Sequence, residues 1–182
     1  MEKYIKELRE KIKKYSDYYY TNNESLISDV EFDKLLEERR SIRAYDSSRR
    51  ATKEQITAMV QAAIQAPSWK NSQTSRYYAV LDEAQCEALS ENCLPQFNQN
   101  NSRGAAYIVT TFVKNRVGFD KETGAAVNEC GNGWGYYDLG LQNENLILNA
   151  RELGLDTLIM GIRDGAKIAG MLGIPETEQV VS

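Results

Sequence analysis

The stretch Tyr107–Val113, Tyr-Ile-Val-Thr-Thr-Phe-Val, narrows the fold more than any other part of this chain. Its β-branched and aromatic residues favour a pleated, buried surface and predict a strand. Tyr77 to Leu81 has the same character and predicts a second strand, with a short helix between the two near Glu83 to Ser90. Helical spacing of apolar residues surrounds both, so a mixed α and β domain is expected.

Tyr4, Ile5, Leu8, Ile12 and Tyr15 recur at helical spacing and predict a first amphipathic helix. Ser28-Asp29-Val30-Glu31 has the form of a capping box and opens a second helix through Leu35 and Leu36, so residues 1–38 are expected to form a helical hairpin. Thr52-Lys53-Glu54-Gln55 repeats the box ahead of Ile56, Met59, Val60, Ala63 and Ile64, with Pro67 beyond. From Gly133 to Leu153 a long helix is predicted from Leu139, Gln142, Leu146 and Ala150, stopping at a glycine cap on Gly154. Leu155 to Met160 reads as a strand, Gly165 to Leu172 as a short helix, and Gln179 to Ser182 as the start of another strand. The expected boundary lies between Glu38 and Arg39, giving regions 1–38 and 39–182.

Composition excludes several function classes. With 182 residues, 42% hydrophobic and 26% charged, the chain can bury a core without disulfides or metals. A net charge of -4 gives no broad positive field for a nucleic-acid backbone. Cys86, Cys93 and Cys130 form an odd set without a CxxC pair, so neither a disulfide framework nor a metal site is expected, and a reducing cytoplasm suits them. No apolar run reaches the length that spans a bilayer, so no membrane role is expected. The chain contains no histidine, which removes the commonest general base. Chemistry must come from other side chains or from a cofactor.

Two segments suggest a cofactor. Glu38-Arg39-Arg40-Ser41-Ile42-Arg43 sets three guanidinium forks and a hydroxyl together, suited to a phosphate and a polar chain, although a solvated basic helix end would look the same. Ala66-Pro67-Ser68-Trp69-Lys70-Asn71-Ser72-Gln73 gathers donors that could read the edge of a planar heterocycle, or form an ordinary turn. Together they resemble the nitroreductase family, in which Arg-Arg-Ser-Ile-Arg and Ala-Pro-Ser-x-x-Asn-x-Gln motifs, about two dozen residues apart, bind FMN. Gly154 to Gly161 resembles the family's strand and turn at the flavin edge. The helix from Gly133-Trp134 through Asp138 and Gln142-Asn143 resembles its core helix and dimer surface.

The resemblance implies an α+β fold, a mixed, mainly antiparallel sheet flanked by helices. It places Arg39 and Arg40 at the phosphate, Ser41 on the ribityl chain and Arg43 at the N1/O2 side of the ring. Pro67, Ser68 and Asn71 would come from the other subunit of a homodimer, and the Gly161 N–H would face flavin N5. No catalytic side chain is implied, because the flavin carries electrons from NADH or NADPH to a nitroaromatic, quinone or similar small acceptor in a ping-pong cycle. The family's chain continues beyond Val180-Val181-Ser182 into a segment that completes the sheet, so a truncated C-terminus is expected. Residues 1–38 instead resemble the N-terminal helical domain of NAD-dependent DNA ligases, with Tyr19, Tyr20, Asp29 and Asp33 matching and Phe32 replacing a tyrosine. The ligase Lys-x-Asp-Gly motif is absent from the sequence. This hairpin is either a structural pair or a nicotinamide-nucleotide dock. In the latter case the whole could be a non-catalytic nucleotide-binding or interaction module.

Overall fold

In the computed structural model, which describes residues 29–182, Tyr107–Val113 forms the middle strand of a three-stranded antiparallel sheet. The strands are β1 (Ser75–Val80), β2 (Tyr107–Val113) and β3 (Glu178–Val180), in that order across the sheet. Val80 pairs with Tyr107 and Tyr78 with Val109, and these side chains share one face. Tyr77 and Ile108 point to the other face, as the two-residue period of a strand requires. β2 pairs with β3 from Val113 to Thr111, and beyond that Val181 and Ser182 both oppose Thr110. The Val181 N–H donates to the Thr110 carbonyl at 2.9 Å while the Thr110 N–H donates to that of Ser182 at 2.8 Å, a bulged pairing.

Helices cover both faces. α1 (Asp29–Glu38) precedes α2 (Lys53–Ala63), α3 (Glu83–Cys93), α4 (Gln96–Asn101), α5 (Gly133–Glu152) and α6 (Gly165–Leu172). On one face Cys86, Leu89 and Cys93 of α3 and Ile168 of α6 bury against Val80, Tyr107, Val109 and Val180. On the other, Ile56, Met59 and Ala63 of α2 pack on Leu146, Ile147 and Ala150 of α5, with Tyr77 and Ile108 beneath them. Each contiguous cluster supplies the apolar burial that holds its layer to the sheet.

Local signals explain the helix ends. Gln55 N–H donates to Thr52 Oγ1 at 3.3 Å and Thr52 N–H to Gln55 Oε1 at 2.9 Å, completing the capping box of α2. α3 runs to Cys93, three residues past the expected end at Ser90. Cys93 is buried in the core, and Pro95 then forces Leu94 into extended backbone (φ -112°, ψ 143°). α5 closes with Gly154 at φ +74°, where Leu155 N–H bonds the Ala150 carbonyl at 2.8 Å and Gly154 N–H that of Arg151 at 3.0 Å. This is the doubly bonded left-handed cap for which glycine is favoured.

One expectation fails. Leu155 to Met160 is not a strand: it contributes a single parallel bridge, Ser41 to Thr157. Its ends anchor in different cores, Leu155 beside the α2–α5 cluster and Met160 beside the α3–α6 cluster. A strand needs a neighbour along its length, and only Thr157 has one.

Contacts divide the chain into two units, Met1–Arg39 and Arg40–Ser182. In the first, α1 carries an exposed Lys34–Glu38 pair at 3.6 Å. The expected first helix, the Ser28 end of the capping box, Tyr19 and Tyr20 lie outside the described residues.

Candidate functional site

The arginine segment straddles the unit boundary. Arg39 N–H donates to the Leu35 carbonyl at 3.1 Å and ends α1, while Arg40 opens the second unit. Ser41 then forms the parallel bridge with Thr157, and Ile42 N–H donates to the Thr157 carbonyl at 3.1 Å. The bridge joins the segment that carries Arg43 to the one that runs on through Ile159 to Gly161. Arg43 is exposed, with Nη1 donating to the Ser41 carbonyl at 3.3 Å. A Cβ built on Gly161 meets nothing within 4 Å, so no packing inside the chain demands a glycine there. Around it Ile159 and Ile162 are 59% and 65% exposed, an apolar surface flanking open backbone.

Tyr45 braces this segment from behind. Its hydroxyl donates to the Ile42 carbonyl at 2.9 Å. Burial pushes its pKa up to about 12, with the Asp156 carboxylate adding to the rise and the Arg43 guanidinium opposing it. Asp156 is itself paired with Arg151 at 3.1 Å, which fixes the start of the Leu155 to Met160 segment to the end of α5.

The second group is the loop after α2. Pro67 and Asn71 are exposed and Ser68 is half-buried. Lys70, Asn71 and Gln73 occupy the left-handed region at φ +48°, +53° and +50°, unusual for side-chain-bearing residues clustered within four positions. Ser68 Oγ accepts from the Gln73 N–H at 3.2 Å, and Asn71 N–H donates to the Ser68 carbonyl at 2.9 Å. The Asn71 side-chain amide makes no hydrogen bond among the described residues. Two features hold the loop to α5: Trp69 N–H donates to Asp138 Oδ2 at 2.9 Å, and the Trp69 ring lies 4.2 Å from that of Trp134, centroid to centroid.

The two groups attach at opposite ends of α5. Asp138 lies in its second turn and Glu152 at its end, so at about 1.5 Å per residue the attachments stand roughly 21 Å apart along the axis. A cavity of about 340 Å³ lies between the two cores, bounded by Ala44, Tyr45 and Thr157 to Met160 on one side and Tyr107 to Thr110 on the other. Ser41, Arg43, Pro67, Ser68, Asn71 and Gly161 do not line it. Cys86 and Cys93 are buried thiols and Cys130 an exposed one. Among the described residues no cluster could hold a metal ion, and no helix is long and apolar enough to cross a membrane.

In the sequence Trp69 lies in the loop motif and Trp134 at the start of the long helix with no role marked for either, and Asp138 reads as a core-helix position. Asp138 and Trp69 are 69 residues apart, and nothing local announces their bond. The legible hint is a carboxylate among the buried positions of a helix that also buries Leu139, Leu146 and Ala150.

Residues 36–182 match the model of the Nitroreductase family. A nitroreductase family protein from Clostridium novyi NT superposes with a TM-score of 0.66 at 20% identity, over 82% of this chain and 80% of that one. An oxidoreductase containing FMN superposes with a TM-score of 0.68 at 24% identity, over 82% and 72%. A Bacteroides thetaiotaomicron VPI-5482 protein, provisionally assigned as an NADH dehydrogenase/NAD(P)H nitroreductase, gives 0.63 at 21% identity, over 82% and 81%. These likenesses show the same mixed α+β fold with a small antiparallel sheet. None of the curated proteins matches the sequence. The family match leaves residues 1–35, with most of the ligase-like segment, outside it.

Proposed function

Because this chain belongs to the nitroreductase family, we propose that it is an FMN-dependent oxidoreductase passing electrons from NADH or NADPH to a nitroaromatic, a quinone or a similar flat acceptor. The observation that carries the reading is the Ser41–Thr157 bridge, which joins the segment of the exposed Arg43 to the one that runs on to the open backbone at Gly161. An electron-accepting ring needs such an arrangement: a cation where negative charge collects, and a backbone N–H that no side chain obstructs. The flavin name of one structural neighbour and the nicotinamide name of another lend support.

The residues fit the cofactor. As the family resemblance implies, the guanidinium of Arg40 would meet the phosphate, and Ser41 would offer a hydroxyl to the ribityl chain. Arg43 is exposed and spends one donor on a backbone carbonyl, leaving most of its fork for the ring's polar edge. The Asn71 amide, unbonded among the described residues, can read a heterocycle edge. FMN, when bound, supplies the two-electron chemistry, taken up from the nicotinamide and handed on in separate half-reactions. The side chains bind, orient and tune.

The loop of Pro67, Ser68 and Asn71 is tied to the opposite end of α5 from the start of the Leu155 to Met160 segment, and we assign these three residues to the flavin of a partner subunit in a homodimer. Binding that requires two chains is linked to their association. Apparent FMN affinity should therefore rise with protein concentration, and sedimentation with and without FMN checks this. A cytoplasmic location suits the unpaired thiols.

The test of the function is direct. Purified protein mixed with FMN should shift the flavin spectrum and oxidise NAD(P)H in the presence of a quinone or nitroaromatic, and calorimetric FMN binding should weaken with Arg43→Ala. Binding of NAD without FMN, abolished by Asp33→Ala, would replace this reading with a non-catalytic nucleotide-binding module.

A further inference from the structure

The loop from Ser68 to Gln73 holds a conformation that its own residues disfavour. Each non-glycine residue in the left-handed region costs on the order of 1 kcal/mol or more, and Lys70, Asn71 and Gln73 are all there. Such a backbone persists only where its surroundings over-determine it. Inside the loop, Ser72 Oγ bonds the Trp69 carbonyl at 2.5 Å and the Gln73 N–H reaches Ser68 Oγ. Both contacts move with the loop and cannot hold it to the domain.

Outside the loop, Arg76 Nη1 of β1 donates to the Gln73 carbonyl at 3.0 Å at its far end, and the restraints on Trp69 come from one face of α5. Trp134 and Asp138 are four residues apart and so stack one above the other on the helix. The Trp134 ring meets the Trp69 ring at 4.2 Å with a 49° tilt, and Asp138 Oδ2 takes the Trp69 N–H at 2.9 Å. Trp134 is itself oriented, its Nε1–H donating to Asn128 Oδ1 at 3.0 Å and its ring meeting Tyr137 edge-on at 5.9 Å. Asp138 is only 3% exposed, and the Trp69 N–H is the donor it faces. Burial pushes its carboxyl pKa up, so an ionised acid here carries a desolvation cost that this hydrogen bond only partly offsets. A leucine would pack at the same depth without that cost.

We propose that Asp138 is a positioning residue that, with Trp134, clamps Trp69 and thereby sets the strained loop in which Asn71 presents its amide to the flavin. Its consequence for flavin rests on the function proposed above, whereas the clamp itself does not. Asn71 follows Trp69 by two residues, so freeing Trp69 also frees the backbone that carries Asn71.

Three forms of the protein test this: wild type, Asp138→Asn, which retains an acceptor oxygen, and Asp138→Leu, which has none. The close Trp69–Trp134 pair should give an exciton couplet in far-ultraviolet circular dichroism of the flavin-free protein. The asparagine variant should keep the couplet and an FMN Kd within about threefold of wild type. The leucine variant should lose the couplet and weaken FMN roughly ten- to a hundredfold, the range for losing a charge-assisted hydrogen bond. Its rate of flavin reduction at saturating FMN should change far less than its Kd. Hydrogen exchange on wild type adds a measurement that needs no variant to fold: the Trp69 N–H should exchange much more slowly than that of Lys70. A folded leucine variant that keeps both couplet and FMN affinity would overturn the proposal, as would equal exchange at Trp69 and Lys70. If wild type binds no FMN, the function fails, and the couplet and exchange still decide the clamp.

Discussion

Gly135 and Gly140 sit in the same helix, and alanine at the two positions should act in opposite directions. A Cβ at Gly135 would clash with the Phe112 ring, too close to Cδ2 and Cε2, with Cγ at 2.9 Å. Phe112 is fully buried in β2 and meets Tyr136 edge-on at 4.8 Å, so the ring has nowhere to withdraw. At Gly140 the added carbon meets nothing within 4 Å. Replacing a mid-helix glycine by alanine is worth roughly 0.5–1 kcal/mol, which Gly140→Ala should gain. Gly135→Ala has the same backbone gain but forces α5 off β2, an overpacking cost of roughly 1–3 kcal/mol. With the clash this deep, the upper half of that range applies and the net loss should be about 1–2 kcal/mol. The two variants should therefore differ by about 2–3 kcal/mol, read as urea midpoints moving to opposite sides of wild type with unchanged slope. Gly135 is also one turn before Asp138, so the displaced helix should carry the carboxylate from the Trp69 N–H and weaken FMN binding, whereas Gly140→Ala should leave it intact. Equal midpoints for the two variants would refute the packing of α5 on Phe112.

Arg43→Ala should slow flavin reduction at saturating FMN more than Ser41→Ala, since only the guanidinium would stabilise charge on the reduced ring; single-turnover kinetics in which the two variants match would exclude that placement. Lys70→Gly should relieve left-handed strain and stabilise the protein by up to about 1 kcal/mol with FMN affinity retained, while Asn71→Gly keeps the backbone but loses the amide and should bind FMN more weakly; calorimetry compares the two. Tyr45 has its pKa raised from 10.0 to about 12, so its contribution to stability is intact below pH 10 and declines between pH 10 and about 12. Tyr45→Phe should flatten part of that alkaline decline while costing about 1 kcal/mol at neutral pH through the lost bond to the Ile42 carbonyl, as denaturation at several pH values would show.

What could be read from the sequence was what neighbouring residues decide among themselves. Tyr107–Val113 declares a strand by its side chains, and Thr52 with Gln55 closes a capping box within four positions. Gly154 ends α5 because the residue after the helix must turn left-handed. The arginine and Asn71 motifs are likewise short, so their membership in a flavin-binding family was legible before any packing was known. Leu155 to Met160 shows where this stops. Its side chains suit a strand, but a strand is a pairing, and the tertiary structure offers a partner only at Thr157. The Asp138–Trp69 bond, the Trp69–Trp134 contact and the placement of Ser41 beside Thr157 join residues 65 to more than 100 positions apart. Which distant groups meet depends on how α2 and α5 seat on the sheet, a collective outcome of burying both apolar faces, and no local propensity encodes it.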